Sequence, residues 1–437
     1  MTSPAAAAGY APASPAAARP PRLDSLDLLR GIAILGIFLM NSQAMSMPTM
    51  AYFNPIAYDP ARYSDPNYAG LSPLNYAVWI VTHIVADLKF ITIFSALFGA
   101  GILLQGERLA ARGAPATAVH YMRMLVLLVF GVAHAHLFWY GDVLANYAIC
   151  GMLLFPFRRL RPTALALAGV ALISVATLYN YVDNNNIEIR AARWLHDGST
   201  RLTAGATGVD FEYEAYSGGW KEAARTRSWV ALDNETFSFL NWALWRCGGA
   251  MLVGMALLGY GFFHGAWPRP AYLALAALAI PSGWIMTGMG VLYNDAHGWF
   301  DGGYPDFFGM QFNYWGSFVS GMGYLALGTL VAARIADNNS ALLTRVARPI
   351  RAVGRAALSN YILQSVIGTT IFYGYGLGYF GWVSRAGLIP IVLATWAFQL
   401  TVSALWLRRF KQGPLEWLWH RMVYGVLGRS RDSAAPA

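Results

Sequence analysis

Charge is what this chain of 437 residues has least of: Asp, Glu, Lys and Arg make up 12%, against 57% hydrophobic residues. Soluble domains carry about 25% charged residues, so a surface facing water all round is excluded and a chain built for lipid is expected. Cysteine is nearly absent. Cys150 and Cys247 both lie in apolar runs, which leaves neither a disulfide framework nor a thiolate metal cage to build. No GxSxG, HExxH, Walker A or GxGxxG pattern stands in a suitable context, so serine hydrolase, zinc protease and nucleotide hydrolase chemistry lack a motif.

What is present is hydrophobic length. Runs able to cross roughly 30 Å of hydrocarbon fall at about 27–47, 77–105, 122–139, 142–158, 163–182, 237–263, 271–292, 313–334, 355–377 and 386–407. The fold expected is all-α, a polytopic membrane protein of about ten transmembrane helices. The net charge of +9 comes mostly from arginines at the ends of these runs, a positive-inside pattern and not a nucleic-acid footprint. Arg108, Arg158, Arg269, Arg348 and Arg408, with their basic neighbours, all fall on one side, so that side is cytoplasmic and both termini are inside. Residues 1–22 are Ala/Pro-rich without an apolar core and are expected to be a disordered tail, not a cleavable signal peptide. Residues 23–411 form one transmembrane helical domain with an outer loop region at 183–236, large enough for short helices such as IRAARWLHD and for a lid. Residues 412–437 form a cytoplasmic interfacial tail.

Polar residues inside the runs are the candidates for function, because ionisable groups in a bilayer are costly and commonly line a site or pathway. In FGVAHAHLFWYGDVLANYAICGM (130–152), a tight turn at Tyr140-Gly141 joins two spans. Asp142 then lies near the outer interface and His134 about two helical turns deeper. His136 lies roughly 200° around the helix from His134, so one cavity cannot take both. The structural alternatives are an N-cap for Asp142, an aromatic belt for Trp139 and Tyr140, and a helix-bridging hydrogen bond for His134. In WIVTHIVADLKFITIFSALFGAG, Asp87 and Lys89 lie near mid-membrane, two residues apart on a helix and so pointing differently; each needs a partner on another span, and the pair either fixes register or meets substrate. The glycines of LFGAG read as helix packing. In the first span, Arg30 sits at the cytoplasmic border and Asn41 about 16 Å further out. GRAALSNYILQS places Asn360 and Gln364 on one face, with Arg355 at the border. GPLEWLWHRMVYG reads as an interfacial anchor.

These five blocks, in order, resemble the YeiB-like bacterial membrane proteins over residues 22 to 425. The family pattern around the third span is His, apolar residues, Trp, any residue, Gly-Asp, and His134, Trp139, Gly141 and Asp142 match it; His136 and His83 are not part of it. The opening RLDSLDLLRGIAILGIFLMN is more remotely similar to transmembrane acyltransferases, including the heparan-alpha-glucosaminide N-acetyltransferases, with Asn41 in a slot where other branches carry His. That resemblance implies acyl transfer from cytoplasmic acyl-CoA or acetyl-CoA, as co-substrate, to a hydroxyl or amine at the outer face of a bacterial inner membrane, the acceptor being a sugar, glycan or lipid. Acyl-CoA needs cations for its phosphates, and Arg30, Arg108, Arg123 and Arg355 can be placed on the cytoplasmic side. His134 is the expected base with Asp142 as its orienting partner, and Asn41 joins them as a candidate catalytic residue. Asp87, Lys89, Trp139, Asn360 and Gln364 are the substrate-binding candidates. No metal and no nucleic acid is expected, membrane lipids are the surrounding partners, and a homodimer is the candidate assembly. The rivals are a transporter or channel of two inverted five-span halves, and a non-catalytic lipid-binding protein whose polar groups are helix glue.

Overall fold

A computed structural model describes residues 24–59, 71–185, 208–299, 307–337 and 341–427. The expected tail at 1–22 and the stretch IRAARWLHD lie outside the described residues. Every regular element among the described residues is helical, and the chain is an all-α, polytopic membrane protein. Eight helical stretches are long and apolar enough to cross a membrane. These are α1 (Asp24–Ser46), α3 (Pro73–Val85) continued by α4 (Lys89–Ala111), α5 (Ala116–Leu137), α7 (Pro162–Asn185), α9 (Trp220–Glu235) continued by α10 (Leu244–Gly259), α11 (Arg269–Ala296), α12 (Phe307–Ala336) and α15 (Arg385–Arg409). Between α1 and α3 lies the short α2 (Thr49–Phe53).

Two expected spans are shorter than the apolar runs suggested. The run at 142–158 folds as α6 (Leu144–Leu154), 11 residues long, ended by a 3₁₀ turn at Phe155–Arg159 where Pro156 sits. The run at 355–377 contributes α14 (Ala357–Phe372), 16 residues long. Arg355 is not its first residue: it ends the preceding α13 (Ala341–Arg355), and Ala356, at φ −112° and ψ 41°, breaks the two apart.

Interior packing uses small residues where backbones touch, as expected for helices that gain nothing from excluding water. A Cβ on Gly99 of α4 would lie 2.0 Å from the Met251 carbonyl oxygen of α10, and one on Gly254 of α10 would lie 1.9 Å from that of Ala96. The LFGAG glycine at 99 is therefore a packing residue. At one end of the bundle an apolar cluster joins Phe38 and Met45 of α1, Ala135 of α5 and Trp139 just after it, Phe372 of α14 and Leu388 of α15. The same cluster contains Tyr216 of α8 (Gly208–Ser217) and Ala223 and Ala231 of α9. Helices α8 and α9 thus cover the end of the bundle reached by Trp139 and Tyr140, where a lid was expected.

The C-terminal segment, expected as an interfacial anchor, packs against the bundle. Helix α16 (Pro414–Val426) brings Glu416 to the start of α14, where its carboxylate accepts the Leu358 N–H at 2.7 Å and the Ser359 hydroxyl. This caps donors that a helix start leaves unsatisfied. Trp419 donates to the Arg123 carbonyl of α5 at 3.0 Å and lies under that arginine's guanidinium, 4.1 Å from ring to carbon. Helix α16 therefore fixes α14 against α5.

Candidate functional site

Helix α5 ends at Leu137, and the chain turns through Trp139–Val143 before α6. The turn is shaped by one contact: a Cβ on Gly141 would lie 2.3 Å from the Trp139 ring, so only glycine lets the indole fold back. Asp142 follows, buried, and splits its carboxylate. Oδ2 accepts the Ala145 N–H at 2.7 Å, while Oδ1 meets His134 Nδ1 at 2.8 Å. On the other side of the ring, His134 Nε2 meets Ser365 Oγ of α14, also at 2.8 Å. All three are buried: His134 is 2% exposed, Asp142 6% and Ser365 1%. Tyr361, one turn before Ser365, accepts the Val143 N–H and donates to the Gly141 carbonyl, each at 3.2 Å. It locks the turn to α14 and sets its own ring 5.1 Å from the imidazole.

Asp142 therefore caps a first-turn N–H of α6 from one residue ahead of the N-cap position, Val143, and it does so while holding the histidine. An ionised carboxylate at Nδ1 accepts, which places the ring hydrogen on Nδ1 and leaves the Nε2 lone pair facing the Ser365 hydroxyl. Aspartate, imidazole and serine hydroxyl in that order can withdraw a proton from oxygen and return it. His136 points elsewhere, toward Glu235 Oε2 at 3.4 Å, with a third of its side chain exposed.

The Asp87 and Lys89 region departs from the continuous helix expected at 77–105. Helix α3 stops at Val85, and Leu88 has φ +59°, a left-handed conformation uncommon outside glycine. The break lets both side chains enter one polar cluster instead of pointing apart. Asp87 accepts from Tyr52 of α2 and from Asn313 of α12 at 2.7 Å, and pairs with His83 Nδ1 at 3.0 Å. Lys89 donates to Asn313 Oδ1 at 2.9 Å, to Thr287 of α11 at 3.3 Å and to the His83 carbonyl at 2.9 Å. Arg246 of α10, buried, donates to Thr92 and Ser317 at 2.8 Å each.

Asn360 and Gln364 share one network, as their spacing required. Gln364 donates to Gln399 of α15 at 3.0 Å and to the Ile34 carbonyl of α1 at 3.0 Å; Gln399 donates to Asn360 Oδ1 at 3.1 Å, and Asn360 to Ser403 at 2.9 Å. These bonds saturate most of the polar atoms and join α1, α14 and α15, which is the work of structural glue. Asn41 is half-buried, and no side-chain hydrogen bond joins it to the described residues; it lies on α1 between Ile34, which faces α14, and Gln43, which donates to Thr82 of α3 at 3.1 Å. Trp139 is buried beside the triad with its indole N–H unpartnered among the described residues. Arg30 pairs with Asp27 at 3.5 Å, and Arg355 donates to the Lys411 carbonyl at 2.9 Å. Arg30 and Arg355 thus stand near the end of the bundle opposite Trp139. Two surface hollows lie there too. One, of about 550 Å³, is lined by Ala341, Thr344, Arg345 and Arg348; the other, of about 240 Å³, includes Arg158 and Arg159.

Sequence reasoning missed Ser365 and Tyr361, although both stand in the quoted GRAALSNYILQS and share a face at i, i+4. It also missed Tyr52, Thr287, Asn313 and Arg246. Of these only Arg246 carried a visible signal, a lone arginine inside an apolar run.

Comparison with known proteins shows what the chain as a whole is similar to. A family model described as a protein of unknown function, DUF418, matches residues 257–426, which include Tyr361 and Ser365 but not His134. Among full-length relatives, the uncharacterized protein YeiB of Escherichia coli (strain K12) is 29% identical over 424 residues, covering 92% of this chain and 97% of its own length. The uncharacterized protein YxaH of Bacillus subtilis (strain 168) is 31% identical over 419 residues, covering 92% and 94%. A 39.9 kDa protein from the amylase 3' region of Bacillus acidopullulyticus is 26% identical over 409 residues, covering 92% and 94%.

Proposed function

The chain belongs to the YeiB-like family of membrane proteins, and within that family we propose that it is a membrane-embedded acyltransferase of the bacterial inner membrane, taking an acyl group from cytoplasmic acyl-CoA and passing it to a hydroxyl or amine at the outer face. The observation that carries this reading is the buried Asp142–His134–Ser365 chain, two contacts of 2.8 Å through one imidazole. With both termini inside, as the arginine pattern requires, Arg30, Arg123 and Arg355 and the hollow beside Arg345 and Arg348 fall on the donor side, where guanidinium groups suit phosphate.

Ser365 gives the transfer a carrier. Its hydroxyl proton passes to His134 Nε2 as Oγ attacks the thioester carbonyl; the carbon–sulfur bond breaks, and the histidine returns the proton to the departing CoA thiolate. The acceptor's hydroxyl or amine then gives its proton to the same nitrogen and attacks the acyl-serine ester, and Ser365 Oγ takes the proton back. Asp142 holds the ring tautomer throughout. The acyl group thereby changes sides on a fixed residue.

Incubating the purified protein with radiolabelled acetyl-CoA and no acceptor tests this. Label should appear on the Ser365 peptide, with free CoA released in equal amount, and should be missing from Ser365→Ala. Label on no residue, with transfer intact in Ser365→Ala, overturns the carrier role. A transport reading is favoured by a different observation, the broken α3–α4 helix with Asp87 and Lys89 at the break, since interrupted helices commonly build substrate and ion sites. Proteoliposome uptake that survives in His134→Ala would select it.

A further inference from the structure

Beyond the triad, toward the capped end of the bundle, the most unusual side chain is Arg227 of α9. It is 0% exposed. Its Nε donates to the His136 carbonyl at 2.9 Å and its guanidinium lies 4.8 Å over the Trp220 ring, yet among the described residues neither Nη1 nor Nη2 has a hydrogen-bond partner. Among the described residues no carboxylate pairs with it. Glu212 is turned to Thr49, whose N–H and hydroxyl both donate to its Oε2, at 2.7 and 2.9 Å, and Glu235 is turned to His136.

Other unpartnered groups gather around it. Tyr216 and Tyr373 stack with centroids 4.7 Å apart, within reach of both the Glu212 and the Arg227 charge, and among the described residues neither buried hydroxyl has a partner; nor does Ser217 Oγ, next in sequence to Tyr216. A buried guanidinium left half-satisfied is costly. The cost is offset if something brought from outside accepts from these groups together. Two nitrogens of one guanidinium and three hydroxyls offer more donors than the two oxygens of a carboxylate can take, whereas a phosphate presents three or four acceptor oxygens and suits the planar fork. Tyr373 is the C-cap of the helix that carries Ser365, eight residues on and about 12 Å along its axis.

We propose that Arg227, Tyr216, Tyr373 and Ser217 form a binding site for a phosphate ester on the acceptor. This rests on the acyltransferase reading and deepens it: the acceptor is a phosphorylated alcohol or glycan, held by its phosphate at the cap, with the hydroxyl to be acylated about 12 Å away at His134 and Ser365. A phospholipid headgroup and a soluble sugar or glycerol phosphate share this chemistry.

The experiment is a binding measurement, so it reads out even if acyl transfer proves wrong. The full chain is held in dodecyl maltoside micelles, which carry no phosphate, and thermal stabilisation is followed on titrating glycerol phosphate, and separately on adding phosphatidylglycerol. Stabilisation by the soluble ester assigns a soluble acceptor; stabilisation by phosphatidylglycerol alone assigns a lipid. Arg227→Gln should weaken whichever binding occurs by about tenfold to a hundredfold, the range for losing a charge-assisted pair. Because Arg227 also holds the His136 carbonyl and its loss could loosen the cap, Tyr373→Phe is the safer variant. It removes a hydroxyl with no internal partner, so the unliganded protein should melt as the parent does while binding falls. His134→Ala should bind like the parent. No stabilisation by either probe, or stabilisation unchanged in both Arg227→Gln and Tyr373→Phe, overturns the site. Binding without labelling of Ser365 keeps the phosphate site and removes the acyltransferase reading.

Discussion

Replacing His134 with Ala separates a catalytic histidine from a structural one, because the two roles differ in magnitude. The substitution deletes two hydrogen bonds, to Asp142 and to Ser365. Interhelical hydrogen bonds in a bilayer average about 0.6 kcal/mol each, so the pair contributes about 1 kcal/mol. Asp142 keeps the Ala145 N–H, which limits the penalty for its orphaned oxygen to roughly 1–3 kcal/mol. A positioned general base contributes about 10² to 10⁴ in rate, or about 3–5 kcal/mol of barrier. In an assay of thiol release from acetyl-CoA, His134→Ala should therefore lose at least a hundredfold while melting only a few degrees below the parent. Ser365→Ala should fall equally, since the two act as a unit, and His136→Ala should keep its activity because that ring faces Glu235. Normal turnover in His134→Ala, or a loss that follows unfolding alone, would refute the base. Asn41 or Asp87 would then be the better candidate.

Further outcomes are expected elsewhere. Reporters fused after residues 160 and 411 should read cytoplasm and one inserted near residue 205 the outside; a cytoplasmic reading at 205 would overturn the orientation. Arg30→Gln and Arg355→Gln should weaken acyl-CoA binding, followed by ligand-induced thermal stabilisation, with little loss of expression, as border ion pairs contribute little to folding. Asp87→Asn should be costly to stability, since it leaves Lys89 buried without the carboxylate that shares Asn313 with it. Burial, with Arg123 nearby, holds the His420 imidazole down to about 4 from its ordinary 6.5. A depressed pKa means stability is full above pH 6.5 and drains as pH falls toward 4. His420→Gln should flatten a melting profile across that window, and an unchanged slope would show that the group plays no part.

The sequence disclosed those features that depend on one segment at a time. Helical class follows from run length, and the pairing of His134 with Asp142 from their closeness in sequence across one turn, although that turn takes residues 138–143 and not the two expected. Asn360 and Gln364 share a network because i, i+4 positions share a face. What stayed hidden depends on how segments meet. Ser365 is an ordinary hydroxyl until α14 is set against α5, and Glu416, in what read as an anchor, does part of that setting. The break at Leu88 has no proline or glycine to announce it; the cluster of Tyr52, His83, Asn313 and Lys89 holds a left-handed leucine that local propensity would reject. Arg227 belongs to a polar helix where a cation is unremarkable until the fold buries it.

The two buried polar clusters bear on enzyme against transporter in different ways. The cluster at Asp87 draws on α2, α3, α11 and α12 and joins a cation and an anion through Asn313; nearly every atom is engaged, as in a junction that fixes the path of a broken helix. The triad is built otherwise. His134 has a carboxylate on one nitrogen and a hydroxyl on the other, which fixes its tautomer and leaves a basic lone pair aimed at an oxygen. Register could be fixed with an amide, as Asn360 and Gln364 do nearby; an imidazole adds the ability to take and return a proton. Helix α1 lies between the clusters, bonded at Gln43 to α3 and at Ile34 to α14, with the unbonded Asn41 on the segment between. A substrate passing from the arginine side to the capped side along α1 would meet the triad before the cap, in the order that transfer from an inner donor to an outer acceptor requires.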